Sequence, residues 1–301
     1  MGYAVVFSGQ GMQHPGMLPW LDDGELLAQA AQRLGVRHWR ERLDDADWLS
    51  NNRNAQVLLT ACALAAWAPL ARHLPPPTLI AGYSVGELPA FAAAGVFDPL
   101  TALDLAEQRA TAMDACARAC PGGMLGITGL ARPEVQRLCA AWGLHLAIDN
   151  GPLSVVLGGP TDALQAAEQA GCTLGAHGTR LKVAVASHTP LMAGARTAFA
   201  QALEHQPLHA PSITLLAGAT VERVRHAEQA RHALSAQISQ TIRWGECMDA
   251  LHARGVRCVL EVGAGSSLAR MWNQQFADVP ARSVDEFRQI GGILPWVRKH
   301  L

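Results

Sequence analysis

Lysine is nearly missing from this chain. Of its 24 basic residues only two are Lys, and against 25 Asp and Glu they leave a formal net charge of −1 over 301 residues. With no Lys/Arg run, the bulk charge carries no footprint of a nucleic-acid binder, and no nucleic-acid partner is expected. Long apolar runs are also missing. The longest uncharged run near the middle, Ala55 to Ala71, contains Gln56 and Pro69 and falls short of the roughly 20 apolar residues that span a bilayer. No membrane partner is therefore expected. "YAVVF" follows Met1-Gly2 with no basic n-region before it, so no signal peptide is expected, and Val6 breaks the myristoylation pattern. The seven cysteines (Cys62, Cys116, Cys120, Cys139, Cys172, Cys247, Cys258) form no disulfide framework. Cys116 and Cys120, the one close pair, have no His or Cys companion, so no metal site is expected. Scattered and odd in number, they read as reduced, buried thiols of a cytoplasmic protein.

Half the residues are apolar, enough in a chain of this length for a full core and a smaller insertion. "YAVVF" reads as a first strand, followed by a glycine turn, "SGQGMQHPGM", and a polar, broken stretch to about Asn54. "AQVLLTACALAAWAPLARHL" reads as a helix stopped by Pro75–Pro77. "LIAG" is the next strand, and a short helix runs from it to about Ala94. Asp98 and Pro99, as N-cap and first helical residue, open another that ends at Pro121. From there "GMLGITGL", "RPEVQRLCAAWG", "LHLAIDN", "LSVVLGG", "TDALQAAEQAG" and "TRLKVAVA" run β-α-β-β-α-β, the ferredoxin-like order. Thr189 and Pro190 start a helix in "SHTPLMAGARTAFAQAL", and "SITLLAG" and "CVLEVG" are later strands. The expected architecture is an α/β-hydrolase-like large domain (1–120 and 185–301) with an inserted ferredoxin-like small domain (121–184).

"LIAGYSVGELPAF" poses the chemical question. Strand, Gly82-Tyr83-Ser84-Val85-Gly86 and helix have the layout of a nucleophile elbow. Ser84 and Glu87 equally fit the S-x-x-E capping box of an ordinary helix start. Of twelve histidines most sit in polar surroundings and read as solvated, whereas His188 lies where the chain re-enters the large domain, at the mouth between two domains. Arg109 has Leu105, Ala106, Ala112 and Met113 as its i±3 and i±4 neighbours and no acid within one turn on that helix face. Such an arginine either snorkels to solvent or is buried opposite an anion, for which a substrate carboxylate is a candidate. "GQGMQH" and "GAGSSL" both fail the dinucleotide pattern G-x-G-x-x-G at the last position. The Gln10 N–H, beside the elbow, and the Val85 N–H are candidates for an oxyanion hole.

"FSGQGMQ" (7–13), "GYSVGE" (82–87), Arg109 in "EQRATAM", "SHTPLM" (187–192), "TIRW" (241–244) and "LEVGAG" (260–265) together resemble the malonyl-CoA:acyl-carrier-protein transacylase family, in order over about 260 of the 301 residues. The resemblance implies Ser84 as acylated nucleophile, His188 as its base, Arg109 and Met113 in acyl binding, and Gln10 and Val85 as oxyanion donors. It also implies that the Arg243 carbonyl and the Asn150 side chain orient the base. It further implies no resident cofactor, malonyl-CoA as donor, and the pantetheine-type arm of an acyl carrier protein as acceptor. Tyr83, Ser8 and Ala264 stand where that family has His, Pro and Pro, and Pro89 falls early in the elbow helix. "GYSVGELPAF" is similar to the transacylase (epsilon) subunit of malonate decarboxylase, which would add that enzyme's other subunits as partners. The sister readings are a fatty-acid-synthesis transacylase, a serine esterase or thioesterase, and a non-catalytic carrier-docking subunit.

Overall fold

The computed structural model describes residues 2–301. Strand β1 (Tyr3–Phe7) is fully buried at the centre of a six-stranded sheet. The stretch after it is less broken than its polarity suggests, because α1 (Glu25–Leu34) buries Leu27, Ala30, Ala31 and Leu34 at helical spacing and ends on left-handed Gly35. A short α2 (Ala46–Ser50) is capped by Asp45, and Asn51 caps α3 (Asn52–His73). At 22 residues α3 is long and apolar enough to cross a membrane, but 72% of its most apolar window is buried inside the fold. It is a core helix, and it starts three residues earlier than the apolar run implies.

Next come β2 (Leu79–Gly82), α4 (Glu87–Ala93) and α5 (Pro99–Ala119), the last opened by Asp98 and Pro99 as the sequence predicts. Then β3 (Gly122–Thr128), α6 (Arg132–Trp142), β4 (His145–Gly151), β5 (Ser154–Pro160), α7 (Thr161–Thr173) and β6 (His177–Arg180) form a second, antiparallel sheet ordered β4-β5-β3-β6. This is a ferredoxin-like arrangement. Alternation splits its strands: Leu125, Ile127 and Leu157 pack in a cluster with α6 and α7, while Met124, Ile148 and Val156 join a cluster under the large sheet. β6 stops earlier than "TRLKVAVA" suggests, because the chain leaves the sheet after Arg180 to carry Val185–Thr189 into the core.

Thr189 precedes a 3₁₀ turn (Pro190–Met192) and donates its hydroxyl to the Ala186 carbonyl (2.7 Å) instead of capping a helix; α8 (Ala193–Glu204) follows. The remaining elements are β7 (Leu215–Leu216), β8 (Arg223–Val224), α9 (Ala227–Ala236), α10 (Trp244–His252), β9 (Cys258–Val262), α11 (Ser267–Gln275), β10 (Ala281–Ser283) and α12 (Ile290–Lys299). The large sheet is ordered β10-β9-β1-β2-β7-β8, parallel except at β8. β4 of the second sheet is tied to the segment between α9 and α10 by a parallel bridge between Ile148 and Ile242, with Asp149 N–H donating to the Ile242 carbonyl (2.8 Å). No cysteine is paired; Cys62, Cys247 and Cys258 are buried as expected, whereas Cys172, at the end of α7, is exposed.

Candidate active site

Parallel strands β1 and β2 end side by side, Phe7 opposite Gly82, and the site is built on that carboxyl edge. The turn after β2 is very tight. A Cβ at Gly82 would lie 2.3 Å from the Gly86 carbonyl oxygen, and one at Gly86 would lie 2.3 Å from that of Phe7. Gly82 is therefore required for the elbow to close on itself, and Gly86 for it to pass over the end of β1. At its apex Ser84 is held at φ 57°, a left-handed conformation that a non-glycine residue adopts only under constraint. The capping-box reading fails here. The Ser84 side chain turns to His188, with Oγ 2.7 Å from Nε2, and Glu87 points inward to accept from the Gly218 N–H (2.5 Å).

His188 also sits in the left-handed region (φ 61°) and is buried. Its Nδ1 lies 2.5 Å from the Gln237 carbonyl oxygen. A carbonyl only accepts, so Nδ1 carries the proton and Nε2 is left as acceptor for the Ser84 hydroxyl. Burial, followed by the positive charge of Arg109, pushes His188 from 6.5 down to about 3. The imidazole is thus neutral across the physiological range. The expected orienting groups are elsewhere. The Arg243 carbonyl accepts from the Cys247 N–H at the start of α10, and its guanidinium pairs with Glu246. The Asn150 side chain accepts instead from the Tyr83 hydroxyl (3.1 Å), linking β4 to the elbow. The carbonyl that holds His188 comes from Gln237, six residues before Arg243, because α9 ends there and turns its last carbonyls toward the site.

Arg109 is on the buried face of α5 and only 1% exposed, so it does not snorkel. NH1 donates to Gln56 Oε1 (2.6 Å) and NH2 to Gln237 Oε1 (3.2 Å), while Nε has no partner. The acidic group coupled to it, Glu87, comes from α4 and forms no ion pair with it within 4.0 Å. Burial lowers Arg109 to about 10 and raises Glu87 to about 8, each against the other's charge. Met113 packs behind Gln56, its sulfur 3.6 Å from Nε2.

An apolar cavity of about 290 Å³ opens between the two sheets. Gln10, Tyr83, Ser84 and His188 line one side and Met124, Ile148 and Val156 the other; neither Arg109 nor Met113 is on its wall. The Gln10 and Val85 N–H groups enter no turn, loop or cap hydrogen bond. The Gln10 loop is anchored at its base by Ser8, which donates to buried Glu261 (2.8 Å). Among the described residues no cluster of three or more His, Cys, Asp or Glu could hold a metal.

Gln56 and Gln237 are the site residues missed from the sequence. Gln56 left a trace, as a polar side chain inside the apolar run of α3, whereas Gln237 lies in an unremarkable "SAQISQ".

Residues 4–293 match the family model described as "Acyl transferase domain". The chain is 30% identical, over 97% of both chains, to the malonyl CoA-acyl carrier protein transacylase of Haemophilus influenzae, and 31% identical to that of Mycobacterium bovis over 93% of this chain and 95% of the relative. Its fold is similar to crystalline FabD from Acinetobacter baumannii (TM-score 0.91, 29% identity, 99% of both chains). It is equally similar to a malonyl-transacylase solved in complex with a type II PKS acyl-carrier protein (TM-score 0.90, 28% identity, 99% of this chain and 100% of that one).

Proposed function

The chain belongs to the acyl transferase family, and from that premise we propose that it moves a malonyl group from malonyl-CoA to the thiol of an acyl carrier protein through a Ser84 ester. The observation that carries the reading is the Ser84–His188–Gln237 relay in the wall of an apolar cavity, with a buried arginine bonded to the Gln237 side chain. The transacylases this chain resembles support the malonyl donor and the carrier acceptor. They favour the sister reading, a transacylase of the fatty-acid-synthesis kind, and lend nothing to a malonate decarboxylase context. Residues 121–184, as a unit of their own, would close the cavity from above.

In this scheme Nε2 of His188 takes the Ser84 proton as Oγ attacks the thioester carbonyl. The oxyanion is received by the Gln10 and Val85 N–H groups, and each such donor is worth about two to three orders of magnitude in rate. The intermediate collapses, and Nε2–H protonates the departing CoA sulfur. A carrier thiol then gives its proton to Nε2, attacks the Ser84 ester, and the proton returns to Oγ. Arg109 holds the malonyl carboxylate, with its free Nε and the free Nε2 of Gln237 as available donors. A carboxylate there also cancels the positive charge that depresses His188, so substrate binding strengthens the base it needs.

The test is intact mass after incubation with malonyl-CoA and no acceptor, beside Ser84→Ala. A persistent gain of one malonyl group, absent from the variant, is expected. Free malonate with no adduct would point to a hydrolase, and untouched malonyl-CoA would overturn the reading.

A further inference from the structure

Arg109 is held by a relay whose outer end lies away from the acyl cavity. Asn52, in the first turn of α3 and 7% exposed, donates Nδ2 to Asp114 Oδ1 (2.8 Å) and, more weakly, to the Ala110 carbonyl (3.4 Å) of α5. Its Oδ1 accepts from Gln56 Nε2 (2.8 Å), and Gln56 Oε1 accepts from Arg109 NH1 (2.6 Å). Each link dictates the next. Two acceptors on α5 can be met only by the amide nitrogen of Asn52, so its oxygen must face Gln56. Gln56 must then present nitrogen to Asn52, where the Met113 sulfur takes up its second N–H. Only its oxygen is left for the guanidinium. A flipped Gln56 would set donor against donor at NH1 and leave two buried groups unsatisfied. Asn52 and Asp114 line a separate polar cleft of about 580 Å³ and do not touch the acyl cavity.

We propose that Asn52 and Asp114 are positioning residues that set the enzyme's preference for malonyl over acetyl groups, by locking the Gln56 amide that orients Arg109. The proposal rests on the carboxylate-clamp role of Arg109. Asn52→Leu keeps the side-chain volume and removes the acceptor, so Gln56 is free to rotate and NH1 loses its fixed partner. The exchanged pair Asn52→Asp with Asp114→Asn restores the order of donors and acceptors along the relay, because the new carboxylate accepts from Gln56 and from the new amide and gives up only the weaker bond to the Ala110 carbonyl.

The experiment measures kcat/KM for malonyl and acetyl transfer in the wild type, Asn52→Leu, the exchanged pair and Arg109→Leu, with melting temperatures alongside. Asn52→Leu should lower malonyl transfer about tenfold, as expected for one misplaced charged hydrogen bond, and leave acetyl transfer within about twofold. The exchanged pair should recover malonyl transfer to within about threefold. Parallel loss of both activities in Asn52→Leu, or an unchanged ratio, overturns the relay. If that variant does not fold, Asp114→Ala must lower the ratio by about threefold or the relay fails. Arg109→Leu separates the two levels. If malonyl preference survives it, the clamp itself is wrong; if preference is lost there yet kept in Asn52→Leu and Asp114→Ala, only the relay is wrong.

Discussion

Replacing Arg109 with Leu tests the acyl site on two independent scales. Arg109 is 1% exposed, and two of its three nitrogens are tied to glutamine oxygens. A carboxylate docked there would gain charged hydrogen bonds of about 1.5–3 kcal/mol each, or about 3–5 kcal/mol for a buried pair broken at one partner. At about 1.4 kcal/mol per factor of ten, malonyl transfer should fall by about two to three orders of magnitude. An acetyl group has no carboxylate to lose, so its transfer should change far less. The second scale is pH. His188 is depressed to about 3 first by burial and second by the Arg109 charge. Removing that charge leaves burial as the one lowering cause, opposed by the Gln237 hydrogen bond, so His188 rises above about 3. The acid limb of acetyl kcat/KM, which reports the free enzyme, should therefore move to higher pH in Arg109→Leu. Steady-state transfer from malonyl-CoA and acetyl-CoA to one carrier acceptor, over a range of pH, reads both. Equal losses for the two acyl groups, or an acid limb that stays put or moves down, would refute the reasoning.

Glu87 gives a stability prediction. Its folded value, raised by burial to about 8, lies above the ordinary 4.5, so the folded state binds the proton more tightly. Its contribution is complete below about pH 4.5 and is lost as pH rises through about 8. Glu87→Gln should make unfolding free energy less dependent on pH between those limits, with a residual slope of the same sign from Glu261, raised to about 7; denaturant titrations with parallel pH slopes for both proteins would contradict this. Gly86→Ala places a Cβ 2.3 Å from the Phe7 carbonyl oxygen and should cost more than about 3 kcal/mol or prevent folding. Gly291→Ala, in α12 with nothing within 4 Å of the new Cβ, should stabilise by about 0.5–1 kcal/mol. Melting curves of the two decide whether close approach, and not glycine as such, sets the cost.

Wherever local rules act alone, the sequence was sufficient. Asp98-Pro99 opens α5, "LIAG" is a buried strand, "GMLGITGL" and "LSVVLGG" contain β3 and β5, and the order of elements from Gly122 to Arg180 foretells the second sheet. The motif spacing also singled out Ser84, His188 and Arg109, residues the fold brings together. Other elements, α1 and α2 before α3 and α9 to α12 with β8 and β10 toward the end, carry no such signal, because they are short segments in which few apolar residues mark a period. Everything that makes the site electrically specific came from elsewhere in the chain. Whether Ser84 caps a helix or faces a histidine depends on His188, 104 residues away. The acidic group coupled to Arg109 is on α4, and its hydrogen-bond partners lie 53 and 128 residues distant. Periodicity and capping are properties of neighbouring residues and can be read along the chain. The partners of buried polar groups are fixed only when helices and strands close on one another, and there the tertiary structure alone decided that a Gln237 carbonyl, and not that of Arg243, holds His188.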